Sequence, residues 1–366
     1  MIEDLYENII EKLYLGPLKA PKHEKILELL KILWNEKEIK ILSHFPKAGK
    51  LISLRELENR TKIPQEQLRI ILKDIGKKGT TCKKGKKYGL LPLVPGIFEK
   101  YFIAQNDSET NLKRVGKIFR FIFDNINSFE LFDRNFELFR PLLPIDSKNK
   151  FIEVDESINV ETEVYTYELV EELINKNEIF ATIPCACRLI SEFKGTPCKK
   201  TTSLMGCFFS GPAAEGMIKA GVAKSLSKEE AIDYLRETEK AGLVHCASND
   251  TSTNHVFICN CCDCCCAGLG STKQFSFKTV RKSNFSPIIN VENCMKCDSC
   301  IEKCPMDALS HSDINDKMII NKDICLGCGV CASNCPNEAI KLIKRYNYVP
   351  PEQNKIGNRT FLELLL

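Results

Sequence analysis

The chain has 366 residues, enough for two or three domains with real cores, and its 43% hydrophobic and 27% charged content excludes a disordered or fibrous protein. A formal charge of +4 selects no class of partner. The 20 cysteines fall in ligand-like groups, which points to metal ligation in a reducing compartment rather than to disulfides.

The opening stretch Met1 to Asn8 carries acids where a secretory leader would be basic. The longest apolar stretch, Tyr88 to Phe98, is broken by Pro92, Pro95 and two glycines, well short of the ~20 residues a membrane helix needs. A cytoplasmic protein without a membrane segment is expected.

Residues 1–105 form the first expected domain. The apolar positions Ile26, Leu29, Leu30, Leu33 and Trp34 give one buried helical face between His23 and His44. Ser53 and Glu56 make a capping box that opens a short helix to Asn59. A further helix starts over Thr61–Pro64, buries Leu68, Ile71, Leu72 and Ile75, and is closed by Gly76. Lys77 to Lys87 then reads as a glycine- and lysine-rich hairpin. Two short helices at a sharp turn followed by a basic hairpin resemble a winged-helix domain. The lysines of the hairpin (Lys77, Lys78, Lys83, Lys84, Lys86 and Lys87) suit phosphate contacts, with Lys83, Lys84, Lys86 and Lys87 the candidate nucleic-acid residues. The preceding helix mixes Glu66, Arg69, Lys73 and Asp74, where a reader of the major groove presents a basic face. Docking or a structural role is therefore preferred to DNA binding.

Residues 106–150 are a helical linker. Leu112, Val115, Ile118, Phe119, Ile122 and Phe123 share one face for helix packing, and Pro141 to Lys150 is a polar, proline-bearing connection.

Residues 151–285 form a mixed α/β middle domain, with a strand at Phe151–Val154, a helix at Tyr165–Asn175 and a strand at Glu178–Pro184. Cysteines follow at Cys185, Cys187, Cys198 and Cys207. A helix capped by Ser227 and Glu230 leads to Gly242, His245 and Cys246, and a dense run closes the domain: Cys259, Cys261, Cys262, Cys264, Cys265 and Cys266. On an extended chain Cys262, Cys264 and Cys266 would face one way, and Cys259, Cys261 and Cys265 the other. The run therefore either wraps one cluster with spare thiols or lies between two metal centres. At least one further [4Fe–4S] cluster is expected, drawing on Cys185, Cys187 and the run, with Cys198 and Cys207 as further ligands. Zinc and free thiols are the alternatives. His245 and His255 read as structural, Cys82 and Cys246 as ordinary thiols. Arg188 is placed to tune a neighbouring cluster through hydrogen bonds or an ion pair.

Residues 286–345 carry the strongest pattern. Cys294, Cys297, Cys300 and Cys304 precede Pro305, and Cys325, Cys328, Cys331 and Cys335 precede Pro336, each as C-x2-C-x2-C-x3-C-P. Three thiolates at this spacing wrap one [4Fe–4S] cube, while the fourth starts a helix that points away and ligates the other copy's cluster. The expected sets are Cys294, Cys297, Cys300 and Cys335, and Cys325, Cys328, Cys331 and Cys304. Proline after the fourth cysteine turns the chain out of the loop. Gly327 and Gly329, at the places of Lys296 and Asp298, let amides approach the sulfurs. The whole unit repeats at an offset of 31 residues, Asp307 matching Glu338. A zinc ribbon is the lesser alternative, since zinc sites use paired C-x2-C. The stretch resembles the two-cluster bacterial-type ferredoxins over about 55 residues, which implies a (βαβ)2 fold. Two clusters at about −2 each bring the formal charge near zero, and a third makes it mildly acidic.

Residues 346–366 form a tail with an apolar tip that either packs back or clips onto a partner. The order of winged-helix-like start, C-x-C-R at Cys185–Arg188, I-C-N-C-C-x-C-C-C at Ile258–Cys266 and dicluster end resembles a group of 4Fe–4S dicluster-domain proteins from anaerobic bacteria and archaea. Cys246 departs from that group's pattern, in which a non-cysteine follows the histidine. The resemblance implies electron transfer alongside a larger redox enzyme, with no substrate of its own. No G-x-G-x-x-G loop precedes a helix, so electrons are expected to come from and go to redox partner proteins. The fold class expected is multi-domain α+β. The expected function is that of an iron–sulfur electron-transfer subunit or accessory protein. The rival readings are a redox-sensing DNA-binding regulator, and a reductase or activator with chemistry at the middle cluster.

Overall fold

The computed structural model describes residues 2–147, 166–252, 256–312, 317–357, 359–360 and 363–364. The strand expected at Phe151–Val154, the start of the next helix at Tyr165, and His255 lie outside them. The fold is α+β and divides into two compact units.

The first unit comprises Met1–Phe136, Ala186–Pro197 and Lys355–Leu366. The helix expected from His23 to His44 is two helices, Glu24–Leu33 and Glu36–Leu42. Trp34 leaves the helical backbone for an extended one, and Asn35 caps the second helix by accepting from the Lys37 and Glu38 amides. Glu38 returns the bond to the Asn35 amide at 2.8 Å. This Asn-x-x-Glu box overrides the apolar periodicity that runs through it. The break lets Trp34 turn fully inward, where its indole N–H donates to Thr80 Oγ1 at 2.9 Å and its carbonyl accepts from the Tyr6 hydroxyl at 2.7 Å.

Ser53 and Glu56 form the expected capping box at the start of helix Leu54–Thr61. The next helix, Gln65–Lys77, runs through Gly76, and the left-handed turn falls at Gly79 (φ 75°) instead. Strands Thr81–Lys84 and Lys87–Leu90 make an antiparallel hairpin, joined by Ile52–Ser53 as a third strand. Helix Glu109–Asp124 buries the six apolar residues expected of it. Phe98, Phe102, Phe119 and Phe123 fill the space beside it with ring centroids 4.9–6.1 Å apart. The tail returns to this unit, where Lys355–Ile356 pairs with Arg359–Thr360 and Gly357 lies against Leu15 and Gly16.

The second unit comprises Glu137–Cys185 and Cys198–Asn354, so the middle sheet and the cysteine repeat share one body. Its six-stranded antiparallel sheet runs Phe139–Pro141, Val244–Ser248, Val256–Cys261, Cys207–Ser210, Phe180–Ile183, Lys224–Leu226 across the layer. Successive side chains on a strand point to opposite faces. Phe180, Phe208, Ala247 and Ile258 therefore share one face and are covered by Val170, Leu173 and Ile174 of helix Val170–Asn175 and by Ala231 and Leu235 of helix Lys228–Lys240. The opposite face receives Cys207, Cys246, Cys259 and Cys261.

The repeat that follows is strand–helix–strand twice over: Phe285–Ile289, Ser299–Lys303 and Leu309–His311, then Met318–Ile320, Val330–Ser333 and Ile340–Lys344. The first strand of each copy pairs antiparallel with the last strand of the other. The two copies are thus interlocked through their sheets before any ligand is considered. Buried contacts tie the repeat to the rest of the unit: Asn284 Nδ2 donates to Glu168 Oε1 at 2.6 Å, and Lys344 Nζ lies 3.3 Å from Glu168 Oε2.

Thr80 both accepts from Trp34 and donates to the Ile75 carbonyl in a fully buried position. Thr80→Val keeps the shape and strands both partners, a cost of about 1–3 kcal/mol per orphaned group. Urea unfolding followed by the fluorescence of Trp34, the chain's single tryptophan, should show a destabilisation of that order. An unchanged midpoint would mean that the break between the helices does not depend on this bond.

Candidate metal centres

The eight cysteines of the repeat gather as two crossed sets. Cys294, Cys297 and Cys300 of the first copy line one pocket together with Cys335 of the second. Burial pushes the Cys300 thiol up to about 11, and the neighbouring charges of Cys335 and Cys294 add to it. The Cys328 thiol is pushed up to about 12, first by burial and then by Cys325 and Cys304. Cys331 is raised well above its ordinary value by burial, then by Cys328, Cys325, Cys304 and Cys300, so the two sets adjoin.

The loops that hold them repeat in their backbone. Lys296 and Gly327 have φ of 52° and 66°, Asp298 and Gly329 61° and 76°, Asp307 and Glu338 54° and 51°. The two glycines therefore serve a left-handed turn between cysteines, beyond the close amide approach expected of them. The first copy makes the same turn with side chains, at about 1–2 kcal/mol per residue. Its Asp298 carboxylate lies 2.7 Å from His311 Nε2, a pairing that the second copy lacks at Gly329. Glycine has a second reason at Gly327, where a Cβ would collide with the Phe285 carbonyl and the Ser283 hydroxyl. Amides also reach the sulfurs: Ala308 N–H donates to Cys304 Sγ at 3.2 Å, Ala339 N–H to Cys335 Sγ at 3.3 Å, and Gly327 N–H to Cys325 Sγ at 3.4 Å. Four converging thiols with amide donors at their sulfurs fit a [4Fe–4S] cube in each set.

The ten cysteines expected at one middle site do not converge on one point. Cys198, Cys262, Cys264 and Cys265 form a tetrad whose sulfurs all lie within 4.8 Å of one another. A second group lies on the thiol face of the sheet, with Cys207 Sγ 3.8 Å from Cys259 Sγ and Cys266 Sγ 3.3 Å from Cys261 Sγ. Of the two arrangements open to the dense run, it is the one lying between two groups. The expected alternation fails at Cys265 and Cys266 for a local reason. The strand ends at Cys261, and Cys266 N–H closes a turn onto the Cys262 carbonyl at 3.3 Å. Cys262, Cys264 and Cys265 are thereby curled to one side, and Cys266 caps helix Ala267–Phe275 by accepting from the Leu269 amide.

Cys246, expected to be an ordinary thiol, belongs with the second group. It is fully buried and directly opposite Cys259 in the strand register. Hydrogen bonding to Cys246 pushes the Cys261 thiol up to about 11, with burial adding. Sequence patterning missed it because the pairing of two strands carries no local signal. Cys185 sits just past strand Phe180–Ile183, its amide donating to the Ser203 carbonyl, while Cys187 falls in the first compact unit.

His245 points to the other face of the sheet from Cys246. Its Nδ1 lies 2.8 Å from Asn260 Oδ1 and its Nε2 2.9 Å from Glu239 Oε1, all three residues being buried. Asn260 in turn donates to the Gly206 carbonyl at 2.8 Å. This network fixes the strands on either side of Cys259 relative to the approach to Cys207, so His245 positions thiols rather than ligating with them.

Among the described residues, no helix is long and apolar enough to cross a membrane. No curated protein and no solved structure matches the chain. Residues 293–340, the span of the two crossed sets, match the family model of the 4Fe-4S dicluster domain.

Proposed function

We propose that the chain is a cytoplasmic electron-transfer protein serving a larger oxidoreductase, with Cys294, Cys297, Cys300 and Cys335 holding one [4Fe–4S] cluster and Cys304, Cys325, Cys328 and Cys331 the other. The observation that carries this reading is the pocket in which Cys335 joins three thiols of the other copy. Such clusters supply one-electron couples whose potential depends on solvent exposure and on hydrogen bonds to sulfur. The chain's residues set both. The amides of Ala308, Gly327 and Ala339 donate toward sulfur and favour the more negative, reduced state. Cys297 is exposed, whereas Cys304 and Cys331 are buried. Met295, which lines the first pocket, is 74% exposed, and Val291 nearby is 49% exposed. A partner that docks on this apolar rim comes close to the first cluster.

A third cluster falls on the second thiol group, with Cys207, Cys259, Cys261 and Cys266 as its ligands and Cys246 beside them. The face of the sheet opposite the apolar core supports this, since nothing in core packing calls for thiols in a row. The head is read as a winged helix, on the order helix, strand, two helices and hairpin. Its helix Gln65–Lys77 presents Ile70 at 61% exposure among mixed charges, which suits a protein surface better than a DNA groove.

Iron and acid-labile sulfide analysis of the anaerobically purified chain should give about twelve of each, about eight from the repeat. Cys259→Ser combined with Cys261→Ser should lower the iron by about four and leave the ferredoxin-type EPR signals in place. Iron near eight in the unmodified chain would remove the third cluster alone; absence of iron would remove the whole reading.

Crossed ligation has its own test. Cys335→Ser should alter the EPR signal of the cluster held by the first loop, the same one altered by Cys297→Ser. A Cys335→Ser spectrum that matches Cys328→Ser instead would show that each copy holds its own cluster.

A further inference from the structure

The geometry points to a centre of another kind: we propose that Cys198, Cys262, Cys264 and Cys265 hold a single zinc ion, separate from the iron–sulfur clusters and independent of the electron-transfer reading. Cys198 Sγ lies 3.6 Å from Cys262 Sγ and 3.5 Å from Cys264 Sγ, and Cys264 Sγ lies 3.7 Å from Cys265 Sγ. Four sulfurs bound tetrahedrally at about 2.3 Å from one zinc stand about 3.8 Å apart, which is this spacing. A disulfide would need about 2.05 Å, far shorter than any of these pairs.

All four sulfurs of the tetrad stand at the spacing of ligands to one ion, whereas the second thiol group, with Cys207–Cys259 at 3.8 Å and Cys261–Cys266 at 3.3 Å, is not gathered in that way as a whole. Among the described residues this tetrad is the one group of metal-binding side chains whose ligand atoms all lie within 4.8 Å of each other. The crossed sets, which match the dicluster domain, are not packed in that way. The same chain thus contains thiols spaced for cubes and thiols spaced for a single ion.

The surroundings suit a closed four-thiolate site. Leu243, Met205 and Ala241 pack against the buried Cys262 and Cys265 and keep water from that side. The Lys200 amide donates to Cys198, and Lys199 and Lys200 bring positive charge beside a site whose four thiolates and dication sum to −2. Lys200 Nζ and Lys273 Nζ lie 3.3 and 3.4 Å from Asp263, which sits inside the turn. With four protein thiolates the coordination is complete and leaves no open position for chemistry. The ion's role is to clamp the loop at Cys198 onto the turn Cys262–Cys265, 64 residues away. Binding releases the thiol protons still present, as any thiolate site does.

The test is metal analysis of the full chain, purified anaerobically, beside the variant C198S/C264S. One zinc per chain is expected in the unmodified protein and none in the variant, with iron content and cluster EPR unchanged in both. Cys264→His, which replaces the exposed ligand with another zinc ligand, should retain the ion. Cobalt exchanged into the unmodified protein should give the thiolate charge-transfer and ligand-field absorption of tetrahedral Co(II), a readout that survives if the double variant does not fold. Absence of zinc from the unmodified protein, a mononuclear iron in its place, or the loss of about four irons in C198S/C264S would overturn the assignment.

Discussion

A fourth thiol that leaves its own loop must find a partner elsewhere, and that constraint shapes the carboxyl-terminal part of the chain. Cys304 and Cys335 sit where short helices end, rather than starting them as the spacing suggests, and each is delivered to the opposite copy. The strands enforce the exchange, since Phe285–Ile289 pairs with Ile340–Lys344 and Leu309–His311 with Met318–Ile320. Neither copy can move without carrying a ligand of the other's set. The two sets of thiols are therefore held at a fixed separation.

The middle sheet solves a different problem with the same residue type. Its strands alternate between an apolar face, closed by two helices, and a face that carries thiols. The buried His245–Glu239–Asn260 network stiffens the apolar side just behind that face. Beyond the last strand residue the backbone turns, and Cys262, Cys264 and Cys265 are turned away to meet Cys198. One stretch of eight residues thus contributes to two thiol groups because a strand ends in its middle.

Much of the carboxyl-terminal site could be read from local spacing. The motif and its 31-residue offset carry the crossed sets, since the backbone that wraps the cysteines is itself short-range. The capping boxes at Ser53 and Ser227 were legible for the same reason. Where the reading failed, a local signal was outvoted or the information was not local. Asn35 and Glu38 broke a helix that apolar periodicity ran straight through. Parity along the dense cysteine run assumed an extended chain, and the turn at Cys262–Cys266 removed that assumption. Cys246 owes its place to the register of two strands, which leaves no mark on neighbouring sequence.

The most direct test of the central claim is a reductive titration of the anaerobic full-length chain followed by EPR. Two interlocked cubes predict two one-electron reductions in the 293–340 region, with signals that broaden and split through mutual spin coupling as the second is reduced. Signals that add without any interaction, or a single reducible centre, would contradict an arrangement in which each copy's fourth cysteine completes the other's site.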